Sequence, residues 1–358
     1  MSLVPDYAAL AASDALRRGQ IIGVGTLAVL SAELADDSAL AALEAAGSRA
    51  GLIITAQRAA ALKLANQIGA AAQDPEPVWV TRPDWLDLAA SRAVADPVLD
   101  LAMPMKGPFR TRPLGADLDS ARAAIALAKH AALLPSIYAL PIAAARPVVT
   151  CSALDALALP VRAAQLAISS RARLPLALAP DTEVLAFRAA DGGPEHLALV
   201  IGDPPRGRPV LARLHSACLT GDILGSLKCD CGPQLHAALS AIAANSDGGI
   251  LLYLQQEGRG IGLLNKLRAY ALQDQGYDTV DANTRLGFAP DERDFSLAAT
   301  MLKALGVAEV ELLTNNPDKV AGLVAHGLAA TRRPHSLPAN PHNAHYLATK
   351  RDRQGHKL

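Results

Sequence analysis

Short apolar runs alternate with helical segments along this chain, and that alternation restricts it to layered arrangements of sheet and helix. In the first half, a helical pattern over residues 7–18 stops at Gly19. Apolar runs follow at 21–24 and 51–55, then a helical stretch over 119–132. In the second half, 250–254 (ILLYL) reads as a buried strand, QQEGRG as a glycine-punctuated loop, and 261–275 as a helix stopped by Gly276. Phe295, Ala298, Leu302 and Leu305 keep helical spacing up to Gly306, 310–313 makes a strand, and Asn316-Pro317 opens another helix in the preferred cap and first-turn order. The expected fold class is α/β in the mixed α+β sense: two domains, each a mixed sheet with packed helices.

A chain of 358 residues exceeds what one core ordinarily supports. The Pro-rich stretch RLPLALAPDT, residues 173–182, breaks the Ala-rich pattern and sets the expected division at 1–178 and 179–358. With 51% hydrophobic and 19% charged residues the chain can bury a sizeable core, which excludes disorder. Its 34 basic and 34 acidic side chains cancel, so neither nucleic acid nor a membrane surface is an expected partner, and any polyanion must be bound locally. The longest uncharged stretch, 131–145, is broken by Pro135 and Pro141 and is too short to span a bilayer. The opening segment lacks a basic region followed by a long apolar run, so a cytoplasmic protein is expected.

Chemistry is concentrated in the second half, where eight of the nine His and three of the four Cys lie beyond residue 180. In ARLHSACLTGDILGSLKCDCG, Cys218 is followed by Cys229 and, two residues on, by Cys231. A Cys-x-Cys pair in a turn can aim both thiolates at one ion, and a third Cys from an adjacent segment completes a three-thiolate site for one Zn²⁺ per chain. Three ligands leave the fourth position for a water whose pKa the metal lowers. Two alternatives stand beside this reading: a closed structural site with His215 as fourth ligand, or three reduced cysteines in a core. Cys151 reads as a buried bystander.

QQEGRGIG, residues 255–262, is a strand-to-helix turn with glycines flanking Arg259, able to bring N–H groups and a guanidinium to phosphate oxygens. Its spacing is neither a P-loop nor a dinucleotide fingerprint, so it also fits an ordinary turn. In TNNPDK, residues 314–319, a strand ends and a helix begins, and Lys319 is either a phosphate ligand or a surface lysine on a capped helix. The acids Asp291, Glu292 and Asp294 surround Arg293, as a charged helix start also would. Tyr270, spaced from Leu263 and Leu267 by seven and three residues, fits a packed position.

The motifs RLHSACLTGDILGSLKCDCG, ILLYLQQEGRGIGLLNKLRAYALQDQG, LGFAPDERDF and LLTNNPDKV, in this order between about residue 209 and the end, resemble GTP cyclohydrolase II, the enzyme that opens riboflavin synthesis. The resemblance implies hydrolysis of GTP to 2,5-diamino-6-(5-phospho-ribosylamino)pyrimidin-4(3H)-one, formate and pyrophosphate, with Zn²⁺, with Mg²⁺ accompanying the triphosphate, and as a homodimer. It implies Cys218, Cys229 and Cys231 as zinc ligands, Arg293 as nucleophile toward the α-phosphorus, Asp291 as the acid/base beside it, and Tyr270 in opening the imidazole ring. Nucleotide contacts are implied at Arg213, Leu214, His215, Ser216, Ala217, Gln234, Glu257, Gly258, Arg259, Thr279, Thr314 and Lys319. Ala217 departs from the family, where an acidic residue is expected. Because a guanidinium ordinarily stays protonated, the chemistry of Arg293 alone favours a phosphate clamp. The rival readings are a GTP-binding pseudoenzyme, and a related cyclohydrolase with a different base or a truncated reaction.

The first half resembles, more faintly, 3,4-dihydroxy-2-butanone 4-phosphate synthase, through SDALRRGQIIGVG, SAELADDSALAALEAAGSRAGLIITAQRAAAL and DSARAAIALAKHAALLPSIYALPI. It lacks that enzyme's chemistry. Residues 25–31 read GTLAVLS without a carboxylate, and Asp119-Ser120-Ala121 replaces the His-Thr-Glu expected to supply a metal ligand, so this domain is expected to be degenerate and non-catalytic.

Overall fold

Two cores made mostly of Ala, Leu, Ile and Val build the first unit, one on each face of a sheet. The structure, a computed structural model, describes residues 7–64, 76–338, 348, 351–353 and 355. The chain begins with α1 (Ala8–Arg17), β1 (Ile22–Val24), β2 (Leu27–Ser31), α2 (Asp37–Leu43), β3 (Gly51–Ile54), α3 (Ala56–Ala61), β4 (Val78–Thr81) and α4 (Leu88–Ala95). It continues through β5 (Arg110–Arg112), α5 (Leu118–His130), β6 (Ser136–Pro141), β7 (Val149–Cys151) and α6 (Ala153–Leu157). The strands form a seven-stranded sheet in the order β5-β4-β3-β6-β2-β1-β7. Only β1 and β7 pair in parallel. Strand period sorts the side chains: Val29, Ile53 and Ile137 meet the Ala-rich faces of α1 and α5, while Leu30, Leu52, Ile54 and Tyr138 meet Leu40, Leu43 and Val94.

After α7 (Leu159–Ala163) the second sheet opens with β8 (Leu166–Arg173), β9 (Thr182–Ala189), β10 (His196–Ile201) and β11 (Val210–Ser216). The chain continues through α8 (Cys231–Ala243), β12 (Gly249–Leu254), α9 (Leu263–Asp274), α10 (Thr279–Arg285), α11 (Ser296–Ala304), β13 (Glu309–Leu313), α12 (Pro317–Ala325) and β14 (Ala329–Arg333), and β12, β13 and β14 complete the sheet. Its order is β14-β13-β11-β12-β10-β9-β8. The neighbours from β14 to β12 run parallel and the rest antiparallel, so this sheet too is mixed. The central position of β11, between β12 and β13, brings the loops leaving the carboxyl ends of all three to one edge, where α/β sheets bind ligands.

By contact the units are 1–159 with 264–292, and 160–263 with 293–358, which differs from a division after residue 178 in two ways. First, the Pro-rich stretch is a connection inside the second sheet: Leu174 N–H donates to Thr182 O at 2.8 Å as β8 turns into β9. Proline interrupts hydrogen bonding equally well in a loop between paired strands and in a linker. Second, residues 264–292 pack with the first unit, where Arg268 pairs with Glu33 and Asp96, and Gln275 donates to Val98 O. Within the second half, the helix expected from residue 261 starts at Leu263, because a short turn over Glu257–Gly260 precedes it.

Candidate active site

Cys218 follows the end of β11 after one intervening residue, Ala217, Cys229 lies in the turn before α8, and Cys231 begins that helix. Their sulfurs lie within 4.8 Å of one another, and those of Cys218 and Cys229 are 3.7 Å apart. An edge of a tetrahedron with Zn–S bonds of about 2.3 Å measures about 3.8 Å, so the spacing fits ligation of one ion. Gly221 makes the cluster possible: a Cβ there would stand 2.7 Å from Cys229 Sγ and 3.1 Å from Cys218 Sγ. The Cys229 thiol pKa is raised by its hydrogen bond to Cys218, and that of Cys231 by its sulfur neighbours and burial. Three thiolates this close repel, and a divalent cation is what would keep them ionised. His215 is not part of the cluster; its Nε2 faces the carboxylate of Asp222 at 3.0 Å, which leaves the fourth-ligand alternative without support.

Around the cysteines the second unit gathers its polar residues. Arg213 is buried on β11, donating to Leu313 O at 2.9 Å and to Gln234 Oε1 at 2.5 Å, while its Nε has no partner among the described atoms. Burial lowers its pKa to about 10. Lys319 is 6% exposed and donates to Leu214 O at 2.7 Å, so it is not the surface lysine that its position in a first turn also allowed. Thr314 Oγ1 accepts from Asn316 N–H at 3.0 Å. The carboxylate of Glu257 accepts from Leu219 N–H at 2.7 Å and from Gly258 N–H at 3.0 Å, joining the QQEGRG turn to the cysteine loop. Gly258 and Arg259 both take left-handed backbone, with φ of 62° and 61°. Such strain in a non-glycine residue tends to be stored where a side chain must be aimed. Arg293 places Nη1 3.5 Å from Ser216 Oγ and its guanidinium carbon 5.3 Å from the ring centroid of Phe295. Ala217 is buried, its N–H bonded to Leu254 O.

Tyr270, Thr279 and Asp291 lie in 264–292, with the first unit. Lys266 Nζ stands 5.6 Å from the ring centroid of Tyr270, and Thr279 Oγ1 accepts from Gln273 at 3.2 Å. The two places where the synthase motifs fail also meet in this unit. Thr26 N–H donates to Ser120 Oγ at 3.0 Å and Thr26 Oγ1 to Asp117 at 2.8 Å. Among the described residues the cysteines are the only group arranged to hold a metal.

Sequence reading missed Asp222, Tyr253, Gln256 and His335. Asp222 accepts from Tyr253 OH at 2.8 Å, Gln256 donates to Asp294 O, and His335 meets the Gln234 carbonyl. Asp222 lies within the cysteine motif, and Tyr253 and Gln256 within ILLYLQQEGRG, so these three carried a signal that could have singled them out; His335 lies outside every motif. No helix among the described residues is long and apolar enough to cross a membrane.

Comparison with known proteins adds four findings. A family model described as GTP cyclohydrolase II matches residues 167–334. The chain is 42% identical to a GTP cyclohydrolase-2 of Azospirillum brasilense over 98% of its own length and 95% of that protein's. It is 59% identical to a GTP cyclohydrolase-2 of Shigella boydii over 50% of this chain and 91% of the relative. The solved two-domain 3,4-dihydroxy-2-butanone 4-phosphate synthase RibBX of A. baumannii aligns with 90% of this chain and 99% of its own at 15% identity, with a TM-score of 0.29, too slight to support any inference.

Proposed function

The chain belongs to the GTP cyclohydrolase II family, and we propose that it converts GTP into 2,5-diamino-6-(5-phospho-ribosylamino)pyrimidin-4(3H)-one, formate and pyrophosphate, at the entry to riboflavin synthesis. The observation that carries this reading is the buried three-cysteine cluster at the carboxyl edge of β11, in the same unit as the buried cations Arg213 and Lys319. Cys218, Cys229 and Cys231 would hold one Zn²⁺, which supplies Lewis-acid activation of water for attack on the purine imidazole carbon. Arg213, Arg259 and Lys319 offer positive charge to the triphosphate, and Mg²⁺ is proposed to accompany it. Arg293 acts best as a clamp on phosphate oxygens, because its contact with the Phe295 ring favours the planar cation over a deprotonated nucleophile. Tyr270 is proposed for ring opening and Asp291 for proton transfer, with Thr279 as a nucleotide contact. A homodimer is proposed on the same family resemblance.

For the first unit we propose a degenerate, non-catalytic synthase-like domain. The loop beside β1 meets residue 120 through Thr26 and Ser120, neither of which is a metal ligand of the kind that chemistry needs. The Azospirillum relative, which aligns over both halves, also bears the name GTP cyclohydrolase-2 alone.

Incubating the protein with GTP and identifying products by mass spectrometry tests the reading. The pyrimidine 5′-phosphate, formate and pyrophosphate are expected. GTP recovered intact would mean a binding protein only, and pyrophosphate without formate would mean a truncated reaction.

A further inference from the structure

The loop that carries Cys218 exposes Ile223 (72%), Leu224 (70%) and Leu227 (56%), so burial of apolar side chains does not hold it in place. In the same loop the side chain of Asp222 is only 3% exposed. Burying a carboxylate is costly unless several donors satisfy it. Here three groups do so. His215 Nε2 stands 3.0 Å from both carboxylate oxygens, Cys218 N–H donates to Oδ2 at 3.0 Å, and Tyr253 OH donates to Oδ2 at 2.8 Å. The bond to Cys218 is reciprocated, because Asp222 N–H donates to Cys218 O at 2.7 Å. His215 and Tyr253 are paired in register on the parallel strands β11 and β12, their rings stacked 5.5 Å apart. The carboxylate therefore ties the backbone of one cysteine to two adjacent strands of the sheet.

We propose that Asp222 is a positioning residue that fixes Cys218 relative to Cys229 and Cys231, so that the three-sulfur site is formed before a metal ion arrives. This rests on the reading of those cysteines as the zinc site. It assigns His215 and Tyr253 to the support of that site: each donates to Asp222, and neither is offered as a ligand. Without the carboxylate the loop keeps its sulfurs but loses the bonds that aim the first of them, and metal binding then bears the cost of ordering it.

The test is zinc competition against a chromophoric chelator on the full-length protein, with Co²⁺ substitution to record the thiolate-to-cobalt absorption. For Asp222→Asn, near-identical in shape, zinc affinity should fall by about 10- to 100-fold, the range seen when groups supporting metal ligands are removed. The cobalt bands should shift or broaden. Tyr253→Phe, which deletes one donor and keeps the carboxylate, should show a smaller loss in the same direction. Should Asp222→Asn fail to fold, Tyr253→Phe decides alone. Wild-type zinc affinity and cobalt spectrum in the folded variants would overturn the proposal. If the wild-type protein itself bound no zinc in this titration, the zinc reading of the site would fall instead.

Discussion

His335 Nε2 donates to the backbone carbonyl of Gln234 at 3.0 Å, linking the segment after β14 to the helix whose Gln234 side chain meets Arg213. Burial, then the nearby Arg213 guanidinium, lower the His335 pKa to about 4 from 6.5. Between those values the unfolded chain takes up a proton that the folded chain refuses. The stability contribution is thus complete above pH 6.5 and is lost as pH falls toward about 4, at up to about 1.4 kcal/mol per pH unit. His335→Gln keeps a side-chain donor without the titration. Thermal unfolding from pH 7 to pH 4 should show a shallower fall for this variant than for the wild type. Parallel curves would remove His335 as a source of acid sensitivity.

Replacing Cys229 with Ser should abolish metal retention and formate release together, since among the described residues the cluster has no fourth Cys, His or carboxylate to substitute. Metal analysis should give one zinc per wild-type chain and little in the variant. A variant that kept its zinc would show that this cysteine is not a ligand.

Gly221→Ala places a Cβ 2.7 Å from Cys229 Sγ and 2.9 Å from Cys231 Cβ, so the sulfurs must move apart. Overpacking of this kind costs about 1–3 kcal/mol. Both the unfolding temperature and the zinc content should drop. Gly276→Ala, at a site where a Cβ meets nothing but the backbone has φ of 97°, should lower stability without touching zinc.

Tyr270→Phe should separate the two halves of the reaction. Pyrophosphate release should persist while formate release falls by about 10²-fold or more, the usual contribution of a proton-transferring group. Equal loss of both products would contradict a ring-opening role.

With ribulose 5-phosphate and Mg²⁺ but no GTP, the full-length protein should form no four-carbon phosphate and no formate. Turnover above background would show that Thr26, Ser120 and their neighbours suffice for a chemistry their side chains do not suggest.

Several elements were legible from sequence because their signals are local. The apolar run at 250–254 became β12, the glycine-stopped pattern before Gly19 became α1, and Asn316-Pro317 opened α12 with the Asn side chain accepting from Asp318 N–H. The cysteine spacing likewise announced the cluster, since a Cys-x-Cys turn constrains two sulfurs without help from the rest of the fold.

The sequence alone determined which residues could bind a metal or a phosphate, and where most strands and helices would form, because periodicity and capping depend on neighbours a few residues away. Tertiary structure decided that β11 lies between β12 and β13, so that a cysteine loop, a glycine turn and the TNNPDK turn share one edge. It also decided that Lys319 and Arg213 are buried, that Asp222 collects donors from two strands, and that residues 264–292 pack with the first unit. These depend on strand order and on packing between segments up to a hundred or more residues apart, such as Lys319 with Leu214 at a separation of 105, for which no local pattern in the chain carries a signal.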